Sequence, residues 1–337
     1  MNTTSQMNAA SFRNFLLTCL LCVIAHCAFP PVMAQSLTLV ELNTENLFDY
    51  KHDSLKQDEE FLPESTRRWT RKRYWRKLNN IAQELLSCRE DGIPDLIALC
   101  EVENDAVMQD LTKRSLLRNA GYEYLMTESP DQRGIDVALL YSPFAFRPIS
   151  HYSLRVPLVG DMRPTRDILY VCGQLQSGDT LHVFVVHAPS RYGGEHRSRP
   201  FRKSAADRLC LSLDSIRAVA PDAHILVTGD FNDFTDSPSL QQLYQHQLHN
   251  LTSEATGQNG VRGTYRFQGE WDSLDHVLAS PSMQSKMEQA FIHSPLFLLE
   301  EDERYGGYIP RCTYNGMRYQ AAGYSDHLPL VVRFRLD

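Results

Sequence analysis

Several clusters of oxygen- and nitrogen-bearing side chains stand at the ends of short apolar runs. Asn43, Glu45 and Asn46 follow Leu37-Thr38-Leu39-Val40-Glu41-Leu42, and Glu101 and Glu103 follow Asp95-Leu96-Ile97-Ala98-Leu99-Cys100. Asp230, Asn232 and Asp233 come directly after Ile225-Leu226-Val227-Thr228-Gly229, and Ser325-Asp326-His327 precedes the last apolar run. His187 with Ser190 and Arg191, and Asp275-His276 within 271–278, complete the set. Carboxylate and amide oxygens suit a hard divalent cation that keeps open positions. A histidine paired with a carboxylate suits proton transfer. Together they fit hydrolysis of an anionic ester, whose charge must be neutralised before water can attack. Each cluster alone has an ordinary reading, since Asn, Asp and Gly after a strand are common turn formers. The case rests on their conjunction.

Such residues converge only if strand ends meet at one rim. Apolar runs bounded by turn residues mark strands at 37–42, 95–100, 137–141, 168–175, 181–186, 224–228 and 328–334. Trp75, Leu78, Ile81, Ala82, Leu85 and Leu86 recur at helical spacing, and a second helix is expected over 202–219. Strand–helix alternation mixed with hairpin-like neighbours predicts a layered α/β protein rather than a doubly wound parallel sheet. Neither a repeat nor a Pro-, Gly- or Ser-rich linker divides the chain, and motifs come from both halves. A single domain over 35–337 is expected.

In order and separation, these motifs resemble those of the endonuclease/exonuclease/phosphatase superfamily, the exonuclease III and DNase-I-like group. The specific strings are Gly229-Asp230-Phe231-Asn232-Asp233 and Ser325-Asp326-His327-Leu328-Pro329, and the resemblance runs over 37–334. Arg133-Gly134-Ile135-Asp136-Val137-Ala138-Leu139-Leu140-Tyr141 resembles a strand of secreted bacterial members. The resemblance implies a four-layer sandwich of two mixed β-sheets flanked by helices. It makes Glu101 the central metal ligand with Asn43 nearby, and Asp326 a further ligand. Asp230 takes the water proton, Asn232 fixes geometry, and His327, held by Asp275, contacts the scissile phosphate. His187 matches DNase-like and sphingomyelinase-like branches, as a phosphate contact or leaving-group donor. Ser190 stands where the exonuclease III branch carries Asn, which argues against apurinic-site repair. Oxygen ligands without clustered cysteines favour Mg2+ or Mn2+ over structural zinc.

The first 34 residues read as a signal peptide: Arg13, an apolar run over 15–28, and Val32-Met33-Ala34 before Gln35. A periplasmic or extracellular location follows. The apolar run is shorter than the roughly 20 residues that span a bilayer. Five cysteines remain after it, an odd number without CxxC spacing, so the fold is not expected to depend on disulfides. The formal charge of −7 counts mildly against long duplex nucleic acid. The basic run from Arg67 to Lys77, interleaved with Trp69, Tyr74 and Trp75, reads first as a solvated helix face and second as a steering surface for a polyanion. A phosphate contact is expected within the run Arg191, Arg197, Arg199, Arg202, Lys203. His276, beside Asp275 on a strand, should face the other way and be structural.

The favoured activity is that of an exported, metal-dependent nuclease of endonuclease type acting on phosphodiester bonds. The alternative is a phosphatase or phospholipase C-like hydrolase of phospholipid head groups or inositol phosphates. A non-catalytic binding module is disfavoured, because Glu101, Asp230, Asn232, Asp275 and His327 are all present.

Overall fold

Alternation of apolar side chains along a few strands sets the layering. The computed structural model describes residues 35–336, and from Ser36 onward the chain forms one compact unit. The signal peptide expected over 1–34 lies outside the described residues. The strands are β1 (Ser36–Leu47), β2 (Leu96–Val102), β3 (Glu123–Met126), β4 (Asp136–Tyr141), β5 (Phe146–Leu154), β6 (Ile168–Leu175), β7 (Thr180–His187), β8 (His224–Asp230), β9 (His249–Asn250), β10 (Tyr265–Phe267), β11 (Glu270–Asp272), β12 (Asp275–Ala279) and β13 (Met287–Ile292). Two short hairpins, β14 (Leu299–Glu301) with β15 (Tyr308–Pro310) and β16 (Tyr314–Asn315) with β17 (Arg318–Tyr319), precede β18 (Leu330–Arg335). The main helices are α1 (Arg71–Ser87), α2 (Glu195–Arg217) and α3 (Pro238–Gln245).

One six-stranded sheet has the order β13-β18-β1-β2-β4-β3 and the other β5-β6-β7-β8-β12-β9. Both mix parallel and antiparallel pairs. Side chains alternate between the two faces of a strand. Val40, Leu42, Ile97, Leu99, Ala138 and Leu140 point outward and pack on Leu78, Ile81 and Leu85 of α1. Leu37, Leu39, Ala98 and Leu139 point inward against Val171, Val183, Leu226 and Val277 of the second sheet. That sheet's outer face, with Phe184, Val186, Ile225 and Val227, receives Leu209 and Leu213 of α2 and Leu240 and Leu243 of α3. The result is the expected helix–sheet–sheet–helix sandwich.

Every expected element is present, several of them longer. Helix α2 begins at Glu195, because ion pairs rather than apolar periodicity hold its first turns: Arg202 contacts Asp233 at 2.7 Å and Glu195 at 2.6 Å. Strands β3, β5 and β13 went unforeseen, since all three are sheet edges with much of their surface exposed, and so did the short helix α3. Strands of two or three residues leave no periodic signal at all. The five cysteines of the described residues are free.

Topology delivers the motifs to one rim. Parallel pairs β1/β2 and β7/β8 end together, and antiparallel β12 starts there, with Asp275 opposite Asp230 and His187 beside Asp230. Asn43 pairs with Cys100, the residue before Glu101.

Candidate active site

Local backbone departures aim the ligands. A register break between Cys100 and Val102 gives β2 a bulge, and Glu101 takes a φ of 63°. Asn46 (φ 56°) and Asn232 (φ 49°) adopt the same left-handed region, which is uncommon for residues with a Cβ and concentrates at functional sites. The backbone N–H of Asn46 donates to Glu101 Oε2 at 2.8 Å, and the Thr44 hydroxyl donates to the Cys100 carbonyl at 2.8 Å. Gly229 answers a different need. Its φ is +136°, and a Cβ there would lie 1.9 Å from the Val186 carbonyl oxygen of the adjoining strand. Only glycine lets β7 and β8 close up just before Asp230.

These ends open into a pocket of about 630 Å³. Asn43, Glu101, His187, Ser190, Arg191, Asp230, Asn232, Asp326 and His327 all line it. The Asn43 amide donates to Asp230 Oδ2 at 3.0 Å, and the Asn232 backbone N–H donates to Asp230 Oδ1 at 2.7 Å. The Asn232 side chain is anchored by donating to the Ala188 carbonyl at 3.1 Å. Asp275 lies behind the pocket wall, with Oδ2 2.7 Å from His327 Nδ1, and the same carboxylate accepts the Thr264 hydroxyl. Ser325 ties this segment to β1 by donating to the Asn43 carbonyl at 2.6 Å. The six strand ends therefore meet.

Electrostatics divide the two histidines. Burial opposes a charge on His327, but Asp275, with Asp326 and Asp230 near, holds the ring protonated well above its ordinary range. Burial drives His187 well below its ordinary range, and Arg166 and Arg133 add to the effect, so this ring is neutral. Its Nε2 stands 3.6 Å from Asp230 and 3.9 Å from Glu101, and its buried Nδ1 has no hydrogen-bond partner. Burial and the charge of Asp275 push Asp230 up to about 7. Burial, with the charges of Glu45 and Glu101, pushes Asp326 up to about 6 against the pull of His327.

A divalent cation fits this donor set. Glu101 and Asp326 face the pocket, the Asp326 carboxylate makes no hydrogen bond among the described residues, and like charges crowd both. Asn43 offers the second lone pair of the amide oxygen that already accepts the Glu45 N–H at 3.0 Å. Asp230, Asp275 and His327 form a second candidate group, with ligand atoms within 4.8 Å of one another. There, however, the Asp275 carboxylate and His327 already share a hydrogen bond. That trio is better matched to proton transfer, and the Glu101–Asp326 side to a cation.

Several other residues divide between the pocket and the scaffold. Of the run after His187, Arg191 alone lines the pocket, stacked 4.2 Å from the Phe234 ring. Arg197, Arg199, Arg202 and Lys203 are spent on ion pairs along α2 and its neighbours. His276 faces away and contacts the Asp233 carbonyl at 2.9 Å, as alternation requires. Glu103 accepts the Asp49 N–H at 2.6 Å outside the pocket. Arg133, Arg166 and Tyr265 line the site without having been singled out for it. Arg133 bridges Asn46 and Glu101, and Arg166 donates to the Ala188 carbonyl at 2.6 Å. Glu41 was also missed: it is fully buried between the sheets, and both its oxygens lack partners. Burial and the charges of Asp275 and Asp230 keep it protonated. An acid inside the apolar run 37–42 was the available signal.

An acid- and histidine-lined pocket at the common rim of a helix-flanked double sheet defines a hydrolase-type site. Residues 38–336 match the model of the Endonuclease/Exonuclease/phosphatase family, and the chain belongs to it. Members of this family are hydrolases acting on phosphoester bonds and are generally dependent on divalent metals. Among solved structures, an endonuclease/exonuclease/phosphatase family protein from Bacteroides thetaiotaomicron is similar, with 16% identity and a TM-score of 0.61 over 90% of this chain and 99% of that one. A mannosyl-6-phosphatase from the same organism shares 16% identity, with a TM-score of 0.59 over 88% and 98%. The catalytic domain of human Nocturnin, carrying a bound sulfate anion, shares 18% identity, with a TM-score of 0.55 over 90% and 95%. At these identities the likeness is one of fold. No curated protein matches the sequence.

Proposed function

We propose that this chain is an exported phosphodiesterase, dependent on Mg2+ or Mn2+, whose substrate is nucleic acid. The observation that carries the catalytic part is the opening of Glu101, Asp326, Asp230, His187 and His327 into one pocket. Glu101, Asp326 and Asn43 would hold the cation, which supplies charge neutralisation at the phosphate. Asp230, fixed by Asn43 and Asn232, accepts the proton of the attacking water. The cationic His327 donates to a non-bridging phosphate oxygen as charge builds there. Neutral His187 lies on the same wall and offers a hydrogen bond without adding charge. Arg133, Arg166 and Arg191 give the pocket the cationic lining an anionic ester needs. Export rests on the leader segment 1–34. Among the described residues no helix is long and apolar enough to cross a membrane.

A specific observation favours a second reading. Glu270 and Asp272 lie on the pocket wall with Phe267 and Phe234, and carboxylates beside rings suit a hydroxyl-rich sugar better than another phosphate. The test is one panel: purified protein on DNA, RNA, sphingomyelin, a sugar phosphate and bis(p-nitrophenyl) phosphate, each with Mg2+ and then with chelator. Chelator-sensitive cleavage of DNA or RNA supports the nuclease reading. Cleavage of the sugar phosphate alone replaces it with the second, and inactivity on every ester overturns both.

A further inference from the structure

Six cations, Arg67, Arg68, Arg71, Lys72, Arg73 and Arg76, occupy the approach to α1 and its first turns. A single ion pair among the described residues involves them, Arg67 with the exposed Glu60 at 3.0 Å. Arg71, Lys72 and Arg76 are exposed and make no hydrogen bond. Arginine planes lie over rings instead: Arg73 stands 4.3 Å from the Tyr319 ring, and Arg67 4.9 Å from that of Tyr314. Folding gains little from this arrangement. No acid occupies the first turn of α1, and positive charge at a helix start is opposed by the helix dipole. On a chain of net charge −7, such a concentration calls for another account than solubility.

Its position supplies one. Helix α1 joins two parallel neighbours, β1 and β2, so it must start near the rim where β1 ends and return to where β2 begins. That rim holds Asn43 and Glu101. Contacts trace the route: Glu45, two residues past Asn43, accepts the Thr313 N–H at 2.6 Å, and the next residue, Tyr314, donates its hydroxyl to the Arg67 carbonyl at 2.9 Å. Arg133 on the pocket wall contacts Asn46 on the same strand end.

We infer that this arginine-rich face is an exosite for the phosphate backbone of a nucleic-acid strand whose scissile phosphate lies in the pocket. The inference rests on the nuclease reading above and names how that substrate is held. Arginine forks match phosphate oxygens, and guanidinium planes stacked on tyrosine are already ordered. A strand carries a charge about every 3.4 Å, so a phosphate in the pocket brings others to the rim. An anionic membrane has the same charge but no reason to be continuous with the pocket.

The test compares wild type with the triple variant R71E/K72E/R76E, whose three sites are exposed and lie outside the pocket. Binding of a fluorescent single-stranded oligonucleotide is measured with chelator present, so that it does not depend on turnover. Cleavage of bis(p-nitrophenyl) phosphate is measured with Mg2+. We expect the oligonucleotide Kd to rise at least about tenfold in the variant, and its logarithmic salt dependence to become shallower by roughly 2, near 0.7 per lost contact. Cleavage of the small ester should not change. Equal oligonucleotide affinity and salt slope in both proteins would overturn the exosite, whatever the enzymatic result. Variant-sensitive binding to phosphatidylserine vesicles without any change towards the oligonucleotide would also overturn it, in favour of a lipid surface. Failure of wild type to cleave any ester would instead count against the catalytic reading and leave the binding measurement to decide the exosite.

Discussion

In the proposed reaction Asp230 takes the proton of the attacking water, yet burial and Asp275 push it up to about 7. An acid is a base only when ionised, so activity should fall as pH drops through the region around 7, or lower where a bound cation favours the anion. At the other end His327 must keep its proton, which Asp275 secures. Asp275→Asn should therefore move both limbs of the pH profile to lower pH: Asp230 loses a like charge, and His327 loses its supporting one. A kcat/KM profile checks this, and an unmoved acid limb would refute the coupling. Asp230→Asn and His327→Ala should each lower kcat by about 100-fold or more while circular dichroism stays native. Full activity in both would sink the assigned roles. Removing divalent cations with chelator should abolish turnover, and Mg2+ or Mn2+ should restore it, since the proposed cation at Glu101 and Asp326 neutralises the phosphate that water must attack.

Elements place these groups by register and bulge, and that level was only partly readable in the chain. Asn43, Glu101, His187 and Asp230 were legible because each follows an apolar run that alternation makes a strand. Arg133, Arg166 and Thr264 were not, because they reach the site from loops or short segments whose course depends on the partner sheet. Glu41 lay in plain view as an acid within an apolar run, but its inward direction follows from the pairing of β1 with β2 and β18. The glycine before Asp230 shows the same dependence, since only the contact with β7 explains it. Gly229→Ala should destabilise the fold by more than about 2 kcal/mol, because the added carbon meets backbone that cannot rotate away. Urea unfolding measures this, and a midpoint within error of wild type would show that the strands can separate freely.

The whole molecule stores unfavourable charge in its interior. Burial holds Glu84 and Glu103 up to about 8, Asp230 about 7, and Asp136 and Asp326 about 6. Folded values above the unfolded ones mean that the native state binds more protons, so their stabilising contribution is complete in acid and lost as pH rises through 6 to 8. Buried His187, His276 and His293 act the opposite way, held below the ordinary 6.5, and their contribution is complete above it. Between about pH 6.5 and 8 the carboxylates prevail. The chelated protein should melt at lower temperature at the upper end, and Mg2+ should recover the share due to the pocket. A flat or rising melting temperature across that window would contradict the buried charges.

Antiparallel pairing of β1 with β18, Ser36 against Arg335, places the earliest and latest described strands side by side in the middle of one sheet. Asn43 thus meets Asp326 and His327 only through pairing between strands far apart in the chain. Without β18 beside β1, the segment carrying Asp326 and His327 has no strand to hold it against Asn43, however well the other layers pack. Closure of the pocket is therefore a long-range event that no local segment accomplishes by itself.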